Sequence, residues 1–257
     1  MRTTEAADRV ISVLEMLAES PEGLGPSEVG ERLEVHKATA SRLLGTLAAR
    51  HLVERTPSGR YRLGAGMVRL AGFAIHGTGL VTTARPEIEA LSARTGETVT
   101  LGILEGLHVL YVDEVYDRHS IISANWIGRR SPVHCSSSGK VLIAFDDDRL
   151  EQVLRATLEG RTRHSLTDPE ALRTVLAEVR QRGFAASTSE LEEGLNTVAA
   201  PVRVEGRVVA AVSISGPSFR LPARDLPRLA PLAERACAAI ARDMQGEVAA
   251  QPARTRR

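Results

Sequence analysis

Residues 25–63 hold two short helical patterns in close succession, followed by two short strand patterns. The first helical pattern begins near Pro26, a turn occupies residues 34–36, and the second helical pattern covers about residues 37–50. The strand patterns fall within Leu52–Leu63, on either side of a Thr-Pro-Ser-Gly turn. Two helices joined by so short a turn and followed by a ribbon are typical of a winged helix-turn-helix, a module that reads DNA.

The second helical pattern has two distinct faces. One face is an apolar stripe that is expected to pack against the preceding helices, made of Ala40, Leu43, Leu44 and Leu47. The opposite face carries small and basic side chains, namely Lys37, Ala38, Ser41, Arg42 and Gly45. Small side chains let a helix approach a groove closely, and Lys37 and Arg42 can reach phosphates or guanine edges.

Base contacts are expected from Ala38, Thr39, Ser41 and Arg42. A solvated helix face is the alternative interpretation of this pattern, and the short turn and the ribbon favour DNA binding over it.

The ribbon alternates between inward and outward side chains. Its inward positions are Val53, Tyr61 and Leu63, and its outward positions are Arg55, Arg60 and Arg62. The arginines predict contacts with a phosphate backbone or a minor groove. An edge hairpin kept soluble by its charges is the alternative.

The net charge of +1 conceals an uneven distribution. Residues 1–35 carry three basic and eight acidic side chains, whereas residues 36–62 carry six basic side chains and one acidic one. The local balances are therefore −5 and +5, and the basic segment coincides with the second helix and the ribbon. Such a basic surface suits a nucleic-acid duplex.

Residues 64–76 predict a helix that links two domains, with a boundary near residue 78. Residues 79–246 read as strands in pairs with helices before and after them, including a short strand at 121–124. This mixture predicts an α+β fold with a largely antiparallel sheet. The resulting division is a winged helix-turn-helix at 1–63, a linker helix at 64–78, a second domain at 79–246 and a disordered tail at 247–257.

Three local features of the second domain carry further expectations. Thr167 is expected to be the N-cap of a helix, with Glu170 as its capping-box residue. A solvated turn is expected before Gly194, containing Glu190, Glu192 and Glu193. Trp126 lies beside Arg129 and Arg130, and the sequence leaves open whether it stacks on a ligand or on a second subunit.

Motifs of enzymes and metal sites are not complete in the sequence. Ser138-Gly139-Lys140 resembles part of a phosphate-binding loop, but His134 occupies the first glycine position of that motif and Val141 follows the lysine. The sequence contains neither a GxSxG motif nor a CxxC pair, and its histidines show no metal-ligand spacing. We therefore predict no enzyme activity, no metal and no cofactor.

The two cysteines predict a reducing compartment, and the N-terminal segment lacks the apolar run of a signal peptide. No apolar run approaches the roughly 20 residues of a membrane span. The expected location is the cytoplasm.

Hydroxyl side chains recur in the second domain. Ser213 and Ser215 alternate with Val212 and Ile214, so both serines face one side of a strand, where they line either a polar pocket or an exposed sheet face. Residues 136–138 are three consecutive serines that either cap a helix or line a site. From the residues alone, these alternatives stay open.

Several segments resemble those of the IclR-type (isocitrate lyase regulator) family of bacterial transcription factors. They occur in the family's order and extend over about residues 5–245. These segments are ADRVISVLEML, HKATASRLLGTLAARHLVER, SGRYRLG, TGETVTLGILEG, SSSGKVLIAF, TDPEALRTVLAEVRQRGFA and AAPVRVEGRVVAAVSISGP. The resemblance implies a winged-helix domain joined by a linker helix to a GAF-like effector domain. It also implies a homodimer, often a dimer of dimers, on a pseudo-palindromic operator in double-stranded DNA.

The resemblance further implies a small-molecule pocket on the sheet of the second domain. The corresponding positions here are Ser136, Ser137, Ser138, Gly139, Ser187, Thr197, Ser213 and Ser215. Family members that bind small oxo acids carry an acidic residue and a cysteine where this chain has Ser187 and Thr197. This departure argues against an identical ligand, although hydroxyl groups at these positions can still hold a carboxylate or a phenol. The expected effector is a carboxylic acid or a phenol, with backbone N–H groups near Ser138-Gly139 holding an anion.

We therefore predict a ligand-responsive transcriptional regulator of a metabolic or catabolic operon. The alternative is an enzyme or carrier built on residues 79–246, with the N-terminal domain used for protein contact. A third possibility is a regulator that senses no ligand. The sequence does not decide whether an effector would release or recruit DNA binding.

Overall fold

A computed structural model describes residues 4–76, 79–116 and 125–250. The chain divides into two compact units, residues 1–78 and 79–257. The short strand expected at 121–124 and the last seven residues of the expected tail lie outside the described residues. Within the described ranges, no helix combines the length and the apolarity needed to cross a membrane.

The first unit consists of helices around a small apolar core, with a two-stranded ribbon. Its elements are α1 (Glu5–Ala18), α2 (Pro26–Arg32), α3 (Lys37–Ala49), β1 (Val53–Arg55), β2 (Tyr61–Leu63) and α4 (Ala65–His76). The core contains Val13 and Leu17 of α1, Val29 of α2 and Leu44 of α3. Helices α2 and α3 begin and end within one residue of the positions expected from the apolar spacing.

The connection between α2 and α3 is a tight turn. Glu34 adopts a left-handed backbone conformation with φ of 54°, and the N–H of Val35 donates to the Gly30 carbonyl at 2.8 Å. A Cβ at position 30 would lie 2.9 Å from the Val35 oxygen, so glycine permits this close approach. The expected helix-turn-helix is therefore present.

The second unit is built on one antiparallel sheet. Its elements are α5 (Leu80–Thr95), β3 (Thr98–Glu105), β4 (His108–Val115), β5 (Arg130–Pro132), α6 (Ser137–Ile143), α7 (Asp147–Arg155), α8 (Pro169–Arg182), β6 (Ala185–Thr188), β7 (Leu195–Val204), β8 (Arg207–Pro217) and α9 (Leu226–Ala250). The strand order is β5-β4-β3-β8-β7-β6, and every neighbouring pair is antiparallel. The expected α+β class is confirmed, and β5 is a strand that the sequence did not indicate.

Helices cover both faces of this sheet. One apolar cluster packs α5 and α9 against side chains such as Leu101 and Ile214, and a second packs α6, α7 and α8 against Val109 and Ala211. Because side chains alternate along β8, Ile214 faces the first cluster and Ser213 faces the α6 side, as Ala211 does.

Two local expectations about the second unit are wrong. The N-cap of α8 is Asp168 and not Thr167, since the Asp168 carboxylate accepts the N–H of Ala171 at 3.0 Å and Pro169 takes the first helical position. Helix α9 continues to Ala250, so residues 247–250 are helical and do not belong to a disordered tail.

Candidate functional site

The exposed face of α3 carries the residues expected to contact DNA. Lys37, Ala38, Ser41 and Arg42 are exposed, and Thr39 is half-buried. On the opposite face, Ala40, Leu44 and Leu47 are buried in the core of the first unit. Among the residues of the described part of the chain, neither Lys37 nor Arg42 has an ion-pair partner, so both cations are available to an external anion.

The ribbon differs from its expected arrangement at one arginine. Arg55 and Arg62 are exposed as expected, although Arg62 Nε lies 2.6 Å from Glu54 Oε1. Arg60 does not point outward. Its guanidinium is half-buried and donates to the Gly23 carbonyl at 2.8 Å and to Glu28 at 2.9 Å.

Arg60 therefore fastens the ribbon to the start of α2. Glu28 also accepts the N–H of Gly25 at 2.7 Å, which caps the helix. The Gly25 N–H, followed by the Arg60 guanidinium, lowers the pKa of the Glu28 carboxyl below its ordinary value. Sequence alternation could not reveal this role, because Glu28 and Gly23 precede Arg60 by 32 and 37 residues.

In the second unit, strand register gathers hydroxyl groups on one face of the sheet. Ser187 pairs with Thr197 across β6 and β7, and Thr197 pairs with Ser215 across β7 and β8. In the adjoining row, Thr100 of β3 pairs with Ser213 of β8. Residues opposite each other in a sheet point to the same face, so these side chains converge.

These hydroxyls line a small cavity that is partly open to solvent, with about 20 Å³ of space accessible to a water-sized molecule. Its lining residues are Thr100, Tyr111, Trp126, Ser136, Ser137, Ser138, Ser187, Leu191, Leu195, Thr197, Ser213 and Ser215. Seven of the eight residues expected from the family resemblance are among them, and Gly139 is not. Sequence reasoning missed Thr100, although the sequence shows this threonine between the apolar residues Val99 and Leu101, which are buried in the structure.

Among the described residues that line the cavity, the polar groups are hydroxyls and the Trp126 indole N–H, and no side chain is charged. Several of the hydroxyls already bond to one another: Thr100 to Ser213 at 2.7 Å, and Ser137 to Thr197 at 2.7 Å. Ser187 donates to the Cys135 carbonyl at 3.2 Å. A bound ligand therefore has to exchange hydrogen bonds with groups that are paired in its absence.

Gly139 contributes to the site through packing. Its N–H donates to Ser136 Oγ at 3.1 Å, which makes Ser136 the N-cap of α6. A Cβ on Gly139 would lie 2.2 Å from the Val133 carbonyl oxygen. The glycine thus lets α6 approach the 3₁₀ turn Val133–Cys135, and its N–H is already occupied within the protein.

Aromatic side chains form the end of the cavity near β4. The rings of Tyr111 and Trp126 meet edge to face, with centroids 5.1 Å apart. The Tyr111 hydroxyl lies 3.1 Å from Ser131 Oγ, and burial raises the pKa of this phenol above its ordinary value. Of the two alternatives that the sequence left open for Trp126, this position is compatible with stacking on a ligand.

A buried ion pair lies close to the cavity. Lys140 of α6 is 1% exposed, and its Nζ lies 2.6 Å from Glu190 Oε1 and 3.1 Å from the Ala186 carbonyl oxygen. The expectation that Glu190 belongs to a solvated turn is therefore wrong. Burial raises the pKa of the Glu190 carboxyl, while the Lys140 ammonium opposes that rise.

Comparison with known protein families covers both units. The model described as "Bacterial transcriptional regulator IclR C-terminal" matches residues 72–242, and the model described as "IclR helix-turn-helix domain" matches residues 6–57.

Individual relatives match nearly the whole chain. The HTH-type transcriptional regulator XynR of Escherichia coli (strain K12) is 32% identical over 249 residues, which cover 94% of this chain and 98% of XynR. The regulator BhcR of Paracoccus denitrificans (strain Pd 1222) is 36% identical, with 84% of this chain and 78% of BhcR covered. One solved structure is that of an IclR homolog from Microbacterium hydrocarbonoxydans complexed with 4-hydroxybenzoate, whose sequence is 29% identical to this chain. It superposes with a TM-score of 0.85 and covers 94% of this chain and 99% of its own.

These relatives are transcriptional regulators and not enzymes, which excludes the enzyme alternative for residues 79–246. Both halves of the architecture, the helix-turn-helix and the sheet domain with its cavity, match the same family. The chain therefore belongs to the IclR family of ligand-responsive, DNA-binding transcriptional regulators.

Proposed function

We propose that this regulator recognises a pseudo-palindromic operator as a homodimer or a dimer of dimers, and that an effector in the hydroxyl-lined cavity controls that binding. A single winged helix reads one half-site, and two copies are needed for useful specificity. The effector alters DNA binding only if its affinity differs between the arrangements of the winged domains that bind and do not bind DNA.

The observation that carries the DNA-binding proposal is the uncompensated positive charge on the exposed face of α3. Phosphate contacts are assigned to Lys37, Arg42, Arg55 and Arg62, and base contacts to Ala38, Thr39, Ser41 and Arg42. Arg60, which was expected among the phosphate contacts, is engaged with Glu28 and is assigned the positioning of the ribbon instead.

Exposed apolar side chains on two helices of the first unit support a homodimer. Ile11 of α1 is 53% exposed, and Val68 and Leu70 of α4 are 74% and 51% exposed. Such side chains mark a protein interface where they form a contiguous patch, whereas single ones are normal on a surface.

For the effector, we propose a carboxylic acid or a phenol. The relative from Microbacterium hydrocarbonoxydans, which shares the fold over nearly the full length, holds 4-hydroxybenzoate. The cavity here combines hydroxyls with two aromatic rings, which suits a ligand with an apolar body and a polar substituent.

We also assign the protein to the cytoplasm. Cys135 and Cys237 are both free and buried, and burial raises the pKa of the Cys237 thiol to about 12. Unpaired thiols are usual in a reducing compartment.

Replacing Arg42 with alanine is expected to weaken binding to the DNA flanking the protein's own gene by about 10- to 100-fold, since one base or phosphate contact contributes about 1–3 kcal/mol. Electrophoretic mobility shift at low salt measures this change. Arg207→Ala, which removes an exposed arginine in the second unit, is the control and should bind like the parent protein. If the intact protein shifts no DNA from this region, the proposed operator site is wrong.

Adding 4-hydroxybenzoate is expected to raise the melting temperature of the protein, because a ligand that binds only the folded state stabilises it by about 2.7 kcal/mol at 100 times its Kd. Thr197→Val keeps the side-chain shape and removes a hydroxyl from the cavity, so the thermal shift should fall. Thr188→Val, on an exposed position of β6 outside the cavity, should leave the shift unchanged. Equal shifts in both variants would place the ligand elsewhere.

A further inference from the structure

Trp126 occupies one end of the cavity and is held there through its main chain. A turn over residues 126–129 is closed by a hydrogen bond from the Arg129 N–H to the Trp126 carbonyl at 2.8 Å. Gly128 takes the left-handed position in this turn, with φ of 80°. Two further bonds tie the turn to β4, from the Gly128 N–H to the Tyr111 carbonyl and from the Tyr111 N–H to the Arg129 carbonyl.

The first residue of the turn is fixed by a side chain of β4. Glu114 Oε2 accepts the N–H of Trp126 at 3.0 Å. Glu114 is only 6% exposed, and burial raises the pKa of its carboxyl above the ordinary value. Its own backbone is also fixed, since its N–H donates to Asp113 Oδ1 at 2.9 Å and Asp113 pairs with Arg85 of α5 at 2.8 Å.

Burying a carboxylate costs free energy, and a buried carboxylate that accepts a backbone N–H has a well-defined position. The bond from Trp126 therefore connects the indole to the interior of the sheet domain. If it is lost, the turn keeps its two bonds to Tyr111 but the N-terminal end of the turn is released. The indole is attached at that end.

We propose that Glu114 is a positioning residue of the effector cavity, which holds Trp126 so that its ring and that of Tyr111 form an aromatic end wall. Strand order places this wall at β4, whereas Ser187 and Thr197 lie across the sheet on β6 and β7. The cavity thus has an aromatic wall at β4, with hydroxyls on its other strands and also beside Tyr111.

This geometry selects a planar ring that bears a hydroxyl or carboxyl group, because the ring packs on the aromatic wall and its polar substituent reaches the hydroxyls. A small oxo acid has no ring that can pack on the aromatic wall, so the wall does not favour its binding. This ligand class rests on the proposed function of the cavity, whereas the positioning of Trp126 by Glu114 can be measured without any ligand.

Trp126 is the only tryptophan in the chain, so its fluorescence reports on the cavity alone. In the ligand-free protein, Glu114→Ala is expected to raise the acrylamide quenching constant about twofold or more, because the indole becomes more accessible once its main-chain bond is lost. Glu114→Gln retains an acceptor oxygen and should quench like the parent protein. Glu178→Ala, which removes an exposed carboxylate on α8, is the control. Unchanged quenching in Glu114→Ala would overturn the positioning role.

Titration with 4-hydroxybenzoate and with pyruvate then tests selectivity, with Trp126 emission and calorimetry as readouts. Glu114→Ala should weaken the binding of 4-hydroxybenzoate about tenfold and leave pyruvate binding unchanged, and Glu114→Gln should restore the affinity for the ring. An equal loss for both ligands would overturn the selectivity. If the parent protein binds neither ligand, the proposed effector class is wrong, while the quenching experiment still decides the role of Glu114.

Discussion

Replacing Lys140 with methionine is expected to lower the free energy of unfolding of the second unit by about 3–5 kcal/mol, the cost of breaking a buried ion pair on one side. Methionine preserves most of the side-chain stem and removes the ammonium group. Glu190 then remains buried with an uncompensated carboxylate, one oxygen of which, Oε2, already lacks a hydrogen-bond partner among the described residues. Urea denaturation followed by Trp126 fluorescence measures the loss in this unit.

The loss should depend on pH. Burial raises the pKa of Glu190 in the folded protein, and removing the Lys140 ammonium raises it further. A carboxyl whose folded-state pKa exceeds its unfolded-state pKa contributes stability below the unfolded value, and that contribution is lost as the pH rises through the folded value. The deficit of Lys140→Met relative to the parent protein is therefore expected to grow from mildly acidic to neutral pH.

Two further variants test whether the loss of stability comes from the buried ion pair itself. Arg182→Met breaks an exposed pair, in which Arg182 Nη2 lies 3.1 Å from Glu178, and should cost at most about 1 kcal/mol. Lys140→Met combined with Glu190→Met removes both charges and should recover most of the loss. If the double variant is no more stable than Lys140→Met alone, the two side chains do not act as a pair.

The ion pair also shows what the sequence could not provide. Lys140 and Glu190 are 50 residues apart, and each stood in a local context with a simpler interpretation, an incomplete phosphate-loop motif and an acidic turn. Their contact depends on α6 packing next to the end of β6, which no local pattern encodes. Arg60 and Glu28 are a second case, because an outward position in a ribbon says nothing about a neighbouring helix.

Features with a periodic origin were predictable. The apolar stripe of α3 and the common face of Ser213 and Ser215 followed from helix and strand periods, and the structure shows both. The register that brings Ser187 beside Thr197 was accessible only through the family resemblance, because strand pairing is not a local property. The aromatic end wall was missed for the same reason, since Tyr111 and Trp126 meet through the turn at 126–129.

Gly139→Ala is expected to lower the free energy of unfolding of the second unit by about 3 kcal/mol. The new methyl group would lie 2.2 Å from the Val133 carbonyl oxygen and 2.3 Å from the Val133 Cα. Both atoms belong to the backbone, so no side-chain rotation can relieve the contact. Helix α6 has to move away from the 3₁₀ turn, and Ser137 and Ser138 move with it.

The same displacement should abolish the stabilisation by 4-hydroxybenzoate, since these serines line the cavity. Gly160→Ala is the matched control, because its Cβ would lie 3.5 Å from its nearest neighbour, the Thr167 methyl group, an ordinary contact. Its cost should stay below about 1 kcal/mol. Chemical denaturation and thermal shift on both variants measure the two effects. A Gly139→Ala protein that is as stable as Gly160→Ala would show that α6 does not need its close approach to Val133.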